Sequence, residues 1–186
     1  FYDLNAKLNQ DLTKRDKLML SGYFGRDDLN FDLDEGTFFK IRWGNSAFAG
    51  RWTHIFSPAV FGNFMVSGSK YTSTTSLSIF ETPILFSNSI WDVTVKGDLD
   101  YFANSRHALT AGILATWYDF TFERVFNQDN QINLQERPFL LGFYAQDLLQ
   151  PYSGTSIRLG VRSNYFSEGG RFRVEPRFSL SHKLKP

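Results

Sequence analysis

The segment "RFRVEPRFSLSHKL", residues 171–184, alternates almost without a break between apolar and polar residues. Phe172, Val174, Phe178, Leu180 and Leu184 fall on one side of a period-2 ribbon, with Arg171, Arg173, Glu175, Arg177, Ser179 and Lys183 on the other. Successive side chains of a β-strand point to opposite faces, so such a strand is greasy on one side and densely charged on the other. In a soluble sandwich or lipocalin-like barrel the polar face meets bulk water, and mild polarity is enough there. Four basic groups on one strand face suit a wet or plugged lumen, with the apolar face turned to lipid.

The pattern recurs. "YDLNAKLNQDL" sets Leu4, Ala6, Leu8 and Leu12 against Asp3, Asn5, Lys7, Asn9 and Asp11. "WDVTVKGDLDY" sets Trp91, Val93, Val95, Leu99 and Tyr101 against Asp92, Thr94, Lys96, Asp98 and Asp100. "SIRLGVRSNYF" sets Ile157, Leu159, Val161 and Tyr165 against Arg158, Arg162 and Asn164. Looser versions run through "KLMLSGYFG", "AGRWTHIF", "GNFMVSGSKY", "ALTAGILATWY" and "FLLGFYAQDL". Together they predict about nine long strands in an all-β antiparallel meander, and helical periodicity is hard to find anywhere.

Strand and connection lengths carry the argument further. Many segments reach the 9–11 residues or so that a tilted membrane-spanning strand requires. Segments 13–17, 57–62, 103–108 and 150–156 read as short turns, and 26–36, 71–89 and 123–138 as long loops, with 167–171 a short exception. One short end and one long end is the pattern of outer-membrane barrels, with tight periplasmic turns and extended extracellular loops. Interfacial aromatics are expected at both ends of the strands: Trp43, Trp91, Trp117 and Tyr118 near the long loops, Phe56, Tyr101 and Phe102 near the short turns.

Composition narrows the alternatives. Twenty Phe, eight Tyr and four Trp in 186 residues favour strand. A net charge of +1 gives no reason to expect nucleic acid, and the lack of cysteine excludes a disulfide framework and Cys-ligated metal. No apolar run approaches the length of a spanning helix, and no signal peptide opens the chain. It begins at "FYDLNAKLNQ", already in strand pattern, and ends at "HKLKP", so both ends read as cut from a longer protein.

Several phrases resemble TonB-dependent outer-membrane receptors, particularly those of Bacteroidota. They are "FYDLNAKLNQDLTKRDKLMLSGYFGRDDL" (1–29), "WGNSAFAGRWTHIFSP" (43–58), "FYAQDLLQP" (143–151) with "SIRLGVRSNYF" (156–166), and "EPRFSLSHKLKP" (175–186). The resemblance implies a 22-stranded barrel, of which residues 1–186 are a middle portion, with the remaining strands and an N-terminal plug domain supplied by the rest of the same protein. It further implies residence in the Gram-negative outer membrane, contact with the bilayer and lipopolysaccharide, and coupling to the TonB complex. The expected function is active uptake of a nutrient such as a siderophore, a vitamin or an oligosaccharide, without covalent chemistry or cofactor. A surface lipoprotein is a further expected partner. The competing expectations are a small self-contained outer-membrane barrel with a structural or adhesive role, and an outer-membrane enzyme.

The candidate functional residues are the charges of the lumen-facing positions: Lys96, Asp98 and Asp100 in one strand, and Arg158, Arg162, Arg171, Arg173 and Arg177 in two others. Such groups attract an anionic substrate or hydrogen-bond the plug and each other. Other motifs are weaker. "NFDLDEG" (30–36) offers Asn30, Asp32, Asp34 and Glu35, but Glu35 stands where a calcium loop needs Gly and Ile41 where it needs a bidentate Glu. "SGSK" (67–70) lacks the companion motifs of the penicillin-recognising enzymes. His54, His107 and His182 lie far apart, each near an expected short turn and none with a recurring carboxylate beside it in sequence, so interfacial positions are expected for all three.

Overall fold

A sequence with period-2 alternation and little helical periodicity has one economical way to pair its backbone: a continuous antiparallel ladder. A computed structural model describes residues 1–34, 37–79, 82–127 and 130–184 and shows that ladder. The strands are β1 (Tyr2–Asp11), β2 (Asp16–Asp34), β3 (Thr37–Ser57), β4 (Val60–Ile79), β5 (Thr82–Phe102), β6 (His107–Phe126), β7 (Asn130–Glu136), β8 (Phe139–Leu149), β9 (Thr155–Phe166) and β10 (Arg171–His182). Apart from one 3-10 turn at Glu168–Gly170, all regular structure among the described residues is strand.

The sheet is a meander in the order β1-β2-β3-β4-β5-β6-β8-β9-β10, with β7 paired to β6. The nine expected strands become ten because the traverse after β6 breaks at Arg137–Pro138. Proline has no N–H to give to a ladder. β7 therefore pairs with Phe120–Phe126 of β6, β8 pairs with His107–Trp117, and the Tyr118 N–H bridges the gap to the Pro138 carbonyl at 3.0 Å. β7 and β8 occupy one position in the sheet, so the count of nine traverses holds.

Register shows that the alternation is one continuous surface. Leu8, Leu20, Gly50, Val66, Val95, Ala115, Leu141, Tyr165 and Phe172 are successive cross-strand partners. Shifting one residue along every strand gives Asn9, Met19, Arg51, Met65, Lys96, Leu114, Gly142, Asn164 and Arg173. The first row belongs to an apolar face and the second to a more polar one. No described apolar residue is buried, and Val66, Val95 and Leu159 remain 46%, 45% and 49% exposed. A sheet with one apolar face and no core of its own needs an apolar medium against that face.

The apolar face is banded. Phe24, Trp91, Trp117, Phe139 and Tyr165 end the band on the hairpin side, and Trp52, Phe56 and Tyr101 end it on the short-turn side. Trp52 stacks on Phe64 at 5.3 Å between centroids. Trp43, Tyr118 and Phe102, expected in these girdles, lie on the opposite face. Adjacent residues such as Trp117 and Tyr118 cannot share a face of a strand.

The expected long loops are mostly strand. β2 to β6 run 19–21 residues, about twice what a bilayer requires. Segments 26–34, 71–79 and 82–89 continue the ladder, for example through Asp28↔Arg42 and Thr74↔Ser87. Above the band both faces are wet, so hydrophobic alternation fades while Thr-rich stretches such as "YTSTTSLS" keep strand preference. The short turns stand where expected: Thr13 Oγ1 accepts from the Arg15 and Asp16 N–H groups at 3.0 Å each, and Asn104 Oδ1 from Arg106 and His107 at 2.8 and 3.1 Å.

Among the described residues β1 pairs only with β2 and β10 only with β9, so the sheet is open and two edge strands are bare. The face assignment is testable in the complete protein. Val95→Arg is expected to cost about 2–4 kcal/mol of folding free energy in lipid vesicles, and Lys96→Ala much less. Urea titration reads both, and equal losses would reverse the faces.

Candidate functional site

The eight charges expected to face the lumen all lie on the polar face, and register decides their neighbours. Lys96, Asp98 and Asp100 occupy alternate positions of β5. Arg158 and Arg162 do so on β9, and Arg171, Arg173 and Arg177 on β10. β6 and β8 separate the acidic strand from β9. At about 4.8 Å per strand the two groups stand some 14 Å apart. They form two sectors of one wall and not a set of direct pairs.

The first sector centres on β5. Lys96 Nζ is 2.8 Å from Asp98 Oδ2 and stands 5.6 Å from the centroid of the Tyr144 ring. The other carboxylate oxygen, Asp98 Oδ1, is buried without a partner. Asp98 and Tyr144 flank Gly112 on consecutive strands. A Cβ at 112 would lie 2.4 Å from Asp98 Oδ1 and 2.5 Å from Tyr144 Cζ, so the carboxylate and the ring occupy space that only glycine leaves free. Below them Thr110 Oγ1 donates to Asp100 at 2.8 Å.

The second sector is basic. Arg162, Arg171 and Arg173 gather with Asn164 and Glu175 around a depression of about 320 Å³ at the upper end of β9 and β10. Arg162 Nε donates to Asn164 Oδ1 at 3.0 Å, and Arg177 lies 3.7 Å from Glu175. Arg158, Arg171 and Arg173 make no ion pair among the described residues. Arg158 and Arg177 sit lower, opposite Ser179 and Gly160, and are not part of the cluster.

Sequence reasoning missed several members of this face. Tyr144, Arg51 and Arg124 share it, the last with its Nε buried and unpartnered. Their alternation is diluted by apolar neighbours on the same side, such as Met65 and Leu114. The histidines are paired across strands: His54 Nδ1 lies 2.6 Å from Asp16 Oδ1, His107 Nδ1 lies 2.7 Å from Asp147 Oδ2, and His182 Nδ1 lies 2.8 Å from Thr155 Oγ1. Two of the three thus meet a carboxylate, but one 38 or 40 residues distant, so that no such partner stands beside them in sequence. Asn30 and Asp32 stand in the β2–β3 ladder opposite Lys40 and Phe38, whereas Glu35 and the Asp34 side chain lie outside the described residues.

The Gly112 packing yields a test in the complete protein. Gly112→Val is expected to displace Asp98 and Tyr144 and to cost about 1–3 kcal/mol. Removing the ring as well, in Gly112→Val/Tyr144→Ala, is expected to recover part of that loss. Denaturant midpoints in lipid vesicles read both, and an unchanged midpoint for the single variant would refute the packing.

No family model and no curated protein matches the sequence. Solved structures do. The outer membrane transporter YddB from Escherichia coli aligns over 95% of this chain and 28% of its own, with a TM-score of 0.79 at 13% identity. The ferripyoverdine receptor of the outer membrane of Pseudomonas aeruginosa aligns over 98% and 33%, with a TM-score of 0.75 at 12% identity. The ferric yersiniabactin uptake receptor FyuA from Yersinia pestis aligns over 96% and 33%, with a TM-score of 0.72 at 8% identity. The chain thus spans about a third of the length of the structures it matches. Its fold is that of a section of the barrel wall of outer-membrane receptors.

Proposed function

We propose that this chain is a section of the transmembrane barrel of a TonB-dependent receptor that takes up a nutrient across the Gram-negative outer membrane. The observation that carries the reading is an open sheet, apolar on one face, with two bare edges. In hydrocarbon each unsatisfied backbone group costs several kcal/mol, so β1 and β10 must pair with further strands. Nine traverses are also an odd number, which leaves the first and last strands parallel, unlike the closed antiparallel barrels of a single bacterial chain. Both points count against the small self-contained barrel. The remaining strands, together with a plug domain, come from the same protein.

The lumen-facing charges support transport in preference to catalysis. Lys96, Asp98 and Asp100 line one sector, and Arg158, Arg162, Arg171, Arg173 and Arg177 the other. They hold the plug by hydrogen bonds or draw an anionic solute inward. The solved neighbours include receptors for ferric siderophores and the RagAB peptide transporter. The substrate here falls within the same broad class of scarce nutrients: a siderophore, a vitamin, an oligosaccharide or a peptide. A surface lipoprotein that covers the mouth fits the tall hairpins.

Accumulation of labelled ferric siderophores, cobalamin, oligosaccharides and peptides, compared in cells with and without the complete gene, tests this. At least one is expected to depend on the gene and to stop when TonB is deleted. Uptake that persists without TonB would overturn energy coupling. Orientation is read separately: Ser76→Cys is expected to react with an impermeant maleimide on intact cells, and Arg15→Cys only after permeabilisation. The chain has no cysteine of its own to interfere.

A further inference from the structure

Above the aromatic girdle the fading alternation does not vanish at random; its sign turns over. Within the band, the face that carries Lys96 and Arg162 is the polar one. Higher on that same face, Leu29, Ile41, Thr75, Phe86, Arg124 and Ile132 are successive cross-strand partners on β2 to β7. Two residues nearer the hairpin tips the row reads Phe31, Phe39, Leu77, Ile84 and Phe126. The opposite face, apolar within the band, becomes hydrophilic: Asp28, Arg42, Thr74, Ser87, Glu123 and Asn133 form one row. Its apolar exceptions, Phe38, Pro83, Leu85 and Val125, stand near the tips.

Among the described residues nothing covers the inverted face. Phe31 and Leu134 on it are 50% and 58% exposed. A contiguous exposed apolar surface of this kind marks a binding site. Lipid does not reach it, because it lies above the girdle and on the side turned from the bilayer. Water accounts for the hydrophilic outer row. The apolar inner rows have no such cause and need an occupant.

Arg124 indicates what that occupant carries. Its cross-strand neighbours are Phe86 and Ile132, its Nε is buried without a hydrogen bond, and it makes no ion pair among the described residues. The other described charges on this face above the girdle are Asp27, four strands away on β2, and Glu136, four residues along β7 from Ile132. At about 4.8 Å per strand and 3.3 Å per residue, both stand more than about 10 Å off. A purely apolar cover would leave the guanidinium desolvated and unpaired, a costly state. A hydroxyl-rich solute fits no better. On these two rows only Thr75 and Arg124 offer hydrogen bonds, so most sugar hydroxyls would lose water without gaining a partner. An apolar body with a single carboxylate satisfies both demands, since a guanidinium takes a carboxylate through two parallel hydrogen bonds.

We propose that Arg124 and the apolar rows around it bind the solute that the receptor takes up, and that this solute is an apolar molecule with one carboxylate. The proposal deepens the transport reading above and rests on it. The complete receptor is reconstituted in lipid nanodiscs and titrated by calorimetry with two acids, each beside its amide, and with maltohexaose. The acids are an acetylated tripeptide of leucine and phenylalanine with a free carboxylate, and octanoate. At least one acid is expected to bind about tenfold or more tightly than its amide, and the tighter acid names the source, peptide or free acid. That preference is expected to vanish in Arg124→Gln and to survive in Arg42→Gln, on the opposite face. No preference for either acid, a preference that persists in Arg124→Gln, or maltohexaose binding as tightly as the better acid overturns the proposal. Accessibility is read on intact cells, where Leu77→Cys is expected to react with an impermeant maleimide and to be shielded by the bound acid. If it stays unreactive without the acid while Ser76→Cys reacts, the receptor's own loops or a protein partner cover this face, and the proposal falls. Equal reaction with and without the acid also overturns it. Outer-membrane fractionation and the TonB dependence of uptake report on the transport reading alone, since binding in nanodiscs needs neither.

Discussion

Hydrocarbon offers no water to a backbone N–H or carbonyl, and the rest of this structure depends on that. Each strand must find a partner on both sides, so long antiparallel strands in meander order are favoured and helix is absent from the ladder. The side chains then divide the work by parity. One set, from Leu8 and Leu20 to Leu141 and Phe172, meets the apolar medium, and the other need only tolerate the interior. The described residues form no core of their own, as a sheet whose apolar face meets an apolar medium needs none.

Where the two faces meet different media, the sequence was legible. β5, β9 and β10 alternate so strictly that their orientation could be read from residues 91–101, 157–165 and 171–184 before any partner was known. Above the girdle both faces are wet, the alternation loses its cause, and "YTSTTSLS" reads as loop although it is ladder. The break at Pro138 was visible as a residue but not as an event, since its effect depends on β6 continuing past it. The histidine partners were hidden for another reason: Asp16 and Asp147 come beside His54 and His107 only through hairpin register, which depends on turn lengths one or two residues from being different.

The interior charges show the same limit. Their face followed from parity, but their company did not. Asp98 and Arg162 lie in one cross-strand row, yet Gly112 and Tyr144 stand between them, and Asp98 turns instead to Lys96 on its own strand. The wall presents acid in one sector and base in another. Such an arrangement leaves Arg158, Arg171 and Arg173 without an ion pair among the described residues.

The interruption at Pro138 also shapes the mouth. β6 continues nine residues beyond Trp117, where β8 stops, and β9 and β10 turn back at Ser167–Gly170. At about 3.3 Å per residue and a tilt near 45°, the upper edge drops by roughly 20 Å between β7, which follows β6 to its end, and the β9–β10 pair. The parapet is therefore notched. Arg162, Arg171 and Arg173 line the polar face just below the lower stretch, so the step in strand height and the basic sector coincide on the same part of the sheet.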